Sequence, residues 1–315
     1  MILRRYALRM PDVAREAILR SLCLFGALGH APTAAETVAA ADVGPTPGAV
    51  LEAEAWEALD GLVASGAVAA TRGRVGLAMH LPAALERAEE ADFFFPRKWR
   101  KAKRVAAWLA RLPTVRFVAL ANTTAWGMAR DEGDLDFFVV AEKGSIWRTR
   151  IAAVAPFIAT RQLPGQRVSE RDAVCLSYFV ADNALDLSAY RLDGDDPYVR
   201  HWLLALLPLF DDGIGASLWD TNAGLRRRHP LACPWALAEG AISRPPRLRA
   251  PLPRFLERPS EAIQRRWFPA SIRDAMNRDS RVRISDDVLK FHVDDGRAAY
   301  RGRYQDLCRT YGIAP

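Results

Sequence analysis

No apolar run in the 315-residue chain approaches the ~20 residues that cross a bilayer. The longest candidates, Ile151–Ala159 and Trp202–Phe210, are too short, so no membrane span is expected. Cysteine is sparse: Cys23, Cys175, Cys233 and Cys308 stand far apart, which excludes a C-x-x-C pair, a disulfide framework and a thiolate zinc site. A reducing compartment fits that usage. None of the five histidines has a second His or Cys at ligand spacing, so they read as structural imidazoles. There is no internal repeat and no low-complexity tract. A composition 50% hydrophobic and 26% charged excludes disorder over most of the length. At the N-terminus, Arg4 and Arg5 followed by Leu22–Leu28 imitate a signal peptide, yet Arg15, Glu16 and Arg20 precede a very short apolar core. The segment reads as a folded helix and the protein as cytoplasmic.

Residues 1–80 read as three helices and a hairpin. Ala14–Leu28 carries Ile18, Leu19, Leu22 and Phe25 at helical spacing, with Gly26 and Gly29 as stop signals. Thr33 and Glu36 have capping-box form. Thr46-Pro47 marks the start of the third helix, whose buried stripe is Leu51, Ala55, Leu59, Leu62 and Val63. Val68–Ala70 and Val75–Leu77 then flank the glycine-bearing turn Thr71–Arg74. This is the order of a winged helix, which ordinarily binds DNA through its third helix. Here Ala31–Gly66 holds six acids and no Lys or Arg, and only Arg72 and Arg74 on the wing are basic. Phosphate would be repelled. The module is expected to dock against the rest of the chain or a protein partner, and its charge argues against DNA binding.

Residues 81–113 read as one or two bridging helices, broken near Phe93–Pro96 because proline disfavours helix in the residue before it. Arg97, Lys98, Arg100, Lys101, Lys103 and Arg104 follow, either a solvated helix face or a cationic wall beside an anionic ligand. Residues 114–198 form an α/β unit: strand Val115–Ala121, turn Asn122-Thr123, a helix from about Thr124 to Arg130, strand Asp134–Ala141 and strand Ala173–Val180. Residues 199–315 read as a helical, Arg-rich region that includes Trp202–Phe210 and Ser260–Met276. The whole is of the α+β class. Asp193, Asp195 and Asp196 read as a solvated turn before Pro197, and Trp147, Trp202, Trp219 and Trp267 as packing residues rather than base-stacking ones.

The informative segment is Val115–Val140. A strand there delivers the chain to the start of a short helix, where free N–H groups favour phosphate. Asp134 and Asp136 are two apart on the next strand, so both carboxylates project from one face while Leu135 and Phe137 project from the other. Two carboxylates beside a phosphate site can hold Mg²⁺ against a triphosphate, the arrangement that phosphoryl and nucleotidyl transfer require. Asp-x-Asp alone is a weak signal. The context of strand, polar turn, helix and Asp-x-Asp on an apolar strand sharpens it.

These residues resemble the nucleotidyltransferase superfamily of the polymerase-β kind, whose fingerprint is a strand, Gly-Ser, a short helix and Asp-x-Asp. The closer resemblance is to bacterial nucleotidyltransferase-domain proteins and extends over most of the chain. It includes the winged-helix-like start, the basic helix Arg97–Leu112, Gly144–Arg150, Val174–Phe179 and a distinctive tail motif, Ile284–Asp295. The resemblance implies a polymerase-β-like nucleotidyltransferase palm over 114–198, flanked by the winged-helix-like module (1–80) and the C-terminal helical region (199–315). It implies ATP or another nucleoside triphosphate as substrate, with Asp134 and Asp136 as catalytic ligands of Mg²⁺ or Mn²⁺. Asn122, Thr123, Thr124, Arg148 and Arg150 are the candidate nucleotide-binding residues, with Arg148 and Arg150 read either as neutralising a triphosphate or as exposed arginines at a helix start. For the tail motif the reading is a helix cap at Ser285 or Asp286 and a docked helix.

The chain departs from that pattern twice. Asn122-Thr123 stands where the superfamily has Gly-Ser; Asn tolerates left-handed backbone better than most residues and is a partial substitute. The third carboxylate expected on a neighbouring strand is missing, since Ala173–Val180 offers Cys175 and Ser177 there, and Asp172 and Asp182 lie outside the strand. The readings that follow are an active enzyme transferring a nucleoside monophosphate to a hydroxyl or amine, and a nucleotide-binding relative with weak or lost catalysis. A rival is a nucleic-acid-binding or regulatory protein. Its support is Leu225–Arg283, where 14 Arg meet 5 acids, while the remaining 30 cations meet 32 acids, so the net charge of +7 resides in that segment. Only five of the 44 cations are Lys and Ala is abundant, a coding bias that inflates the Arg count.

Overall fold

The structure is a computed structural model and describes residues 10–45, 48–166, 171–242 and 253–315. Helix α1 (Met10–Leu28) stops where Gly29 takes φ +73°, a left-handed turn that glycine enters without a Cβ penalty. Helix α2 (Ala34–Ala39) starts from the Thr33–Glu36 capping box. Helix α3 (Glu52–Ala64) begins where the Glu54 carboxylate accepts the Leu51 N–H at 2.8 Å. The expected start at Thr46-Pro47 falls outside the described residues. Strands β1 (Val68–Thr71) and β2 (Arg74–Leu77) pair antiparallel across Arg72 and Gly73, both at positive φ, the geometry of a two-residue hairpin turn.

Helix α4 (Leu81–Ala110) runs unbroken through Pro96, against the expected break. An interior proline costs about 3 kcal/mol. Packing on its C-terminal side opposes that cost: Ala102, Val105, Ala106 and Leu109 are buried, and Lys98 is wholly enclosed.

The central element is a six-stranded sheet of order β6-β3-β4-β5-β8-β7. In chain order, β3 (Val115–Ala121), the single turn α5 (Asn122–Ala125), β4 (Leu135–Ala141), α6 (Ile146–Ala159) and β5 (Val174–Ala181) form its middle. Helix α5 ends at Ala125 rather than near Arg130, because Gly127 at φ +67° turns the chain and the Met128 N–H returns to the Thr123 carbonyl at 2.7 Å. Next come α7 (Pro197–Leu204), β6 (Leu207–Asp211), α8 (Gly215–Thr221), α9 (Ala223–Arg226), α10 (Glu257–Trp267) and α11 (Ala270–Ala275). Strands β7 (Val282–Ile284) and β8 (Val288–Phe291) and helix α12 (Arg297–Thr310) complete the chain.

The C-terminal region is therefore not purely helical: it contributes three of the six strands. The apolar run Trp202–Phe210 holds both the end of α7 and the strand β6, and an unbroken apolar run carries no period by which to separate them. The tail motif is a hairpin at the sheet edge, not a helix cap with a docked helix; the Ser285 hydroxyl accepts the N–H groups of Asp287 and Val288 in its turn.

Side chains alternate across the sheet. Leu135, Phe137 and Val139 of β4 enter one apolar layer with α4 and α6 residues such as Leu109 and Trp147. Phe138 and Val140 enter the other, which is continuous with Ile18, Leu22, Leu59 and Leu77 of the first 80 residues. That N-terminal segment thus shares its core with the sheet. The joint also holds buried charge. Asp42 accepts from Arg228 Nε at 2.6 Å and Arg200 Nη2 at 3.1 Å, and Arg200 and Arg228 also pair with Asp195. In the acidic turn before Pro197, Asp193 is exposed as expected, whereas Asp195 pairs with Arg200 and Asp196 is buried, capping α7 and pairing with Arg297. Of the four tryptophans read as packing residues, Trp147, Trp202 and Trp219 are buried and Trp267 is 71% exposed.

Burial would raise the Asp42 carboxyl, but His229, Arg200 and Arg228 outweigh it and hold it below the usual carboxylate range. Its stabilisation is therefore complete above the unfolded-state pKa and is lost as pH falls through the depressed folded-state value. Asp42→Ala leaves buried guanidinium groups without their partner and is expected to cost about 3–5 kcal/mol near neutrality. Urea unfolding should show that loss at pH 7 and a smaller difference between the two proteins in acid.

Candidate metal and nucleotide site

Three chain segments converge at one end of the sheet. Strand β3 ends at Ala121, which pairs with Asp136 near the start of β4, and Asp136 in turn lies opposite Cys175 at the start of the parallel strand β5. Asp134, Asp136 and Cys175 each offer a ligand atom, and these atoms lie within 4.8 Å of one another. Two carboxylates and a thiol at that spacing are able to chelate a divalent cation. Mg²⁺ and Mn²⁺ suit the carboxylate pair.

A bulge shapes the β5 wall. Between Asp136 and Phe138 the partner on β5 moves from Cys175 to Tyr178, so β5 carries one residue more than β4. As a result Cys175, Ser177 and Tyr178 all line the same cleft, of about 700 Å³, although Ser177 and Tyr178 are consecutive. The tail hairpin supplies the wall beyond: Lys290, His292 and Asp295 face the cleft, and Ser177 Oγ lies 3.0 Å from His292 Nε2. The segment Val288–His292 alternates only from Leu289 onward, too short a stretch to distinguish a strand from a helix end, so its place in the cleft is not visible in the sequence.

Asn122 takes φ +54° at the strand-to-turn junction. Its side chain hydrogen-bonds the Asp136 carboxylate, and its Oδ1 accepts from Tyr198 Oη at 3.2 Å. Left-handed backbone at this point is what a glycine would supply, and the amide adds a contact that glycine lacks. Burial, then the charge of Asp134, pushes the Asp136 carboxyl up to about 7, against the opposing effects of Asn122, Cys175 and Lys98. Burial likewise raises the Cys175 thiol, and the nearby carboxylates raise it further.

The basic helix acts from behind. Lys98 donates to the Gly133 carbonyl and pairs with Asp172 at 2.9 Å, and Arg97 pairs with Asp172 and Asp131 at 2.8 and 2.7 Å. Gly133 and Asp172 precede Asp134 and β5, so these cations fasten both loops that present the cluster. Lys98 is neither part of a solvated face nor a cleft wall. Asp172 is consumed by this clamp, and Asp182 lies at the far end of β5, accepting the Lys143 N–H at 2.9 Å. Neither joins the Asp134–Asp136 pair; the residue opposite Asp136 on β5 is Cys175.

The other candidates lie elsewhere. Thr124 is 2% exposed, and Thr123 offers its carbonyl to Met128. Arg148 pairs with Glu257, whose carboxylate also takes the N–H groups of Trp147 and Arg148 at the start of α6. Arg150 donates to Gln264 Oε1 at 2.7 Å and lies over the Phe291 ring, with burial pushing its guanidinium down to about 10. Both arginines bind α10 instead of lining the cleft. Several arginines of the 225–283 segment are likewise engaged: Arg228 with Asp42, Arg226 over Trp219, Arg265 with Glu261, and Arg281 with Asp279.

In comparisons with known proteins, no family model, no curated protein and no solved structure matches the chain. Among the described residues no helix is long and apolar enough to cross a membrane.

The Asn122 geometry makes a prediction. Left-handed backbone costs a residue with a Cβ roughly 1–2 kcal/mol, so Asn122→Ala should be less stable than Asn122→Gly by about 1 kcal/mol. Urea midpoints measured on the two variants check this; equal midpoints would mean that Asn122 serves only through its amide.

Proposed function

We propose that this protein is a metal-dependent nucleotidyltransferase-like protein that binds a nucleoside triphosphate, ATP or another, in the cleft between β4, β5 and the tail hairpin. The observation that carries the reading is the convergence of Asp134 and Asp136 with Cys175 beside a cleft large enough for a nucleotide. Asp134 and Asp136 would hold Mg²⁺ or Mn²⁺. Bound there, the cation would neutralise phosphate charge and polarise the phosphorus under attack. Asn122 orients Asp136, Tyr198 orients Asn122, and the Lys98–Asp172 clamp holds both loops in register. The acceptor would be a hydroxyl or amine, and Arg-rich surface within 225–283 would admit a nucleic-acid acceptor. The 1–80 segment fits a winged-helix-like module whose core is continuous with that of the palm.

A second reading, nucleotide binding with weak or lost turnover, is favoured by one observation. A thiol stands where a third carboxylate would help remove the acceptor's proton, and burial and neighbouring charge favour its protonated form. The two readings share the binding step. Isothermal titration of the protein with Mg²⁺–triphosphate should give binding heat, weakened by about tenfold or more in Asp134→Asn and Asp136→Asn. Pyrophosphate release then separates the readings. In an active enzyme it falls by about 100-fold or more in the same variants. Triphosphate binding unaffected by both substitutions would overturn both readings.

A further inference from the structure

Cys175 stands beside both carboxylates, and a thiol there has a chemistry of its own towards metal ions. Its register partner is Asp136, and its Sγ belongs to the same 4.8 Å cluster as the two carboxylates. Asp172 and Asp182, the acids nearest β5 in sequence, are engaged elsewhere. The thiol is also held. Cys175 Sγ donates to Ser177 Oγ at 3.2 Å, Ser177 Oγ lies 3.0 Å from His292 Nε2, and the His292 ring packs edge-on against Tyr178. This chain links the distinctive tail motif to the cluster. Metal ligands are commonly oriented by such outer hydrogen bonds, which fix the donor and tune its basicity.

Donor chemistry then discriminates between cations. Mg²⁺ takes oxygen ligands in near-octahedral geometry and gains little from sulfur. A thiolate favours softer ions such as Zn²⁺ and Cd²⁺. We propose that Cys175 is the third donor of the metal site, held by Ser177 and His292, and that it makes the site selective for a thiophilic divalent cation over Mg²⁺. The inference rests on the reading that Asp134 and Asp136 bind metal, and narrows it. On binding, the S–H bond gives way to a sulfur–metal bond. The displaced proton would be released to buffer, while Ser177 and His292 hold the sulfur in place.

Cadmium titration of the full chain, carried in a Cys233→Ser background to remove the exposed thiol, tests this by the ultraviolet sulfur-to-cadmium charge-transfer band. The band should grow to saturation with a stoichiometric ion. Cys175→Ser should abolish it and weaken Cd²⁺ binding by about 10–100-fold, while Mg²⁺ affinity changes by less than about threefold. His292→Ala should keep the band and weaken Cd²⁺ by about tenfold, as loss of an outer-shell partner does. A parent protein saturated with Cd²⁺ by calorimetry yet showing no band would overturn the proposal, as would a band that survives Cys175→Ser. Because the parent protein alone can give the first of these results, instability of the variants does not shelter the idea. Failure here is distinct from failure of the nucleotide reading. Mg²⁺–triphosphate heat that depends on Asp134 and Asp136, with no charge-transfer band, keeps that reading and rejects this one. A band without triphosphate binding does the reverse.

Discussion

The parallel register of β4 against β5 is the constraint on which the rest of the site depends. Side chains on a strand alternate with a period of two, so a slip of one residue would turn Asp136 into the apolar layer that holds Leu135 and Phe137. The register is secured from both ends. Ahead of the strands the Leu135 N–H donates to Ala173 and the Asp172 N–H to Gly133, with Lys98 fastening the same pair. Behind the cluster, Phe138 and Val139 lie opposite Tyr178 and Phe179 and bury on opposite faces. The bulge between these two anchors is what lets one strand present both a donor, Cys175, and its support, Ser177, while Tyr178 still reaches the core.

Charge is treated differently behind and in front of that register. Behind it, cations are spent on structure. Lys98 is enclosed in α4, Arg148 is bound to Glu257, and Arg200 and Arg228 meet Asp42 at the joint with the N-terminal helices. Each such pair carries a desolvation cost that only good geometry and additional hydrogen bonds offset. These pairs tie together segments distant in sequence: Asp42 reaches residues 200 and 228, and Lys98 reaches residue 172. The Arg-rich composition therefore marks internal joints at these positions more than a uniform basic surface.

Much of the site was legible from spacing alone. Asp134 and Asp136 on one face follow from strand alternation, and the polar Asn122 at the end of β3 was legible as a stand-in for glycine; φ +54° is the conformation that argument requires. The Thr33–Glu36 cap and the Arg72-Gly73 turn were legible because each depends on a few neighbouring residues. What could not be read depends on partners far along the chain. Strands β6, β7 and β8 are short and contain Pro208, Arg283 and Lys290, so local preference does not identify them; only the pairing of β6 with β3, of β8 with β5 and of β7 with β8 makes them strands. The unbroken path of α4 through Pro96 is hidden for the same reason, since the sheet residues on which Ala102, Val105 and Leu109 pack and the partners of Arg97 and Lys98 lie further along the chain. The contacts of Arg148 with Glu257 and of Arg150 with Gln264 are likewise invisible in the sequence, because the partners lie 109 and 114 residues further on.

In front of the register the cleft has the opposite balance. Asp134 and Asp136 face it, and its two lining cations among the described residues are already engaged: Lys290 donates to the Ser280 carbonyl at 2.5 Å, and Arg297 pairs with Asp196 and Asp295. Burial also pushes the Lys290 ammonium down to about 7, which weakens it further as a counter-charge. A polyanion entering such a cleft meets repulsion that only a bound cation can reverse. On the proposed reading the metal is therefore the electrostatic precondition for triphosphate binding, and the donors that hold it decide which nucleotide complex the cleft admits. That places the choice of cation at the point where β5 and the tail motif meet, through Cys175, Ser177 and His292, and makes the C-terminal hairpin part of the site rather than an appendage to the sheet.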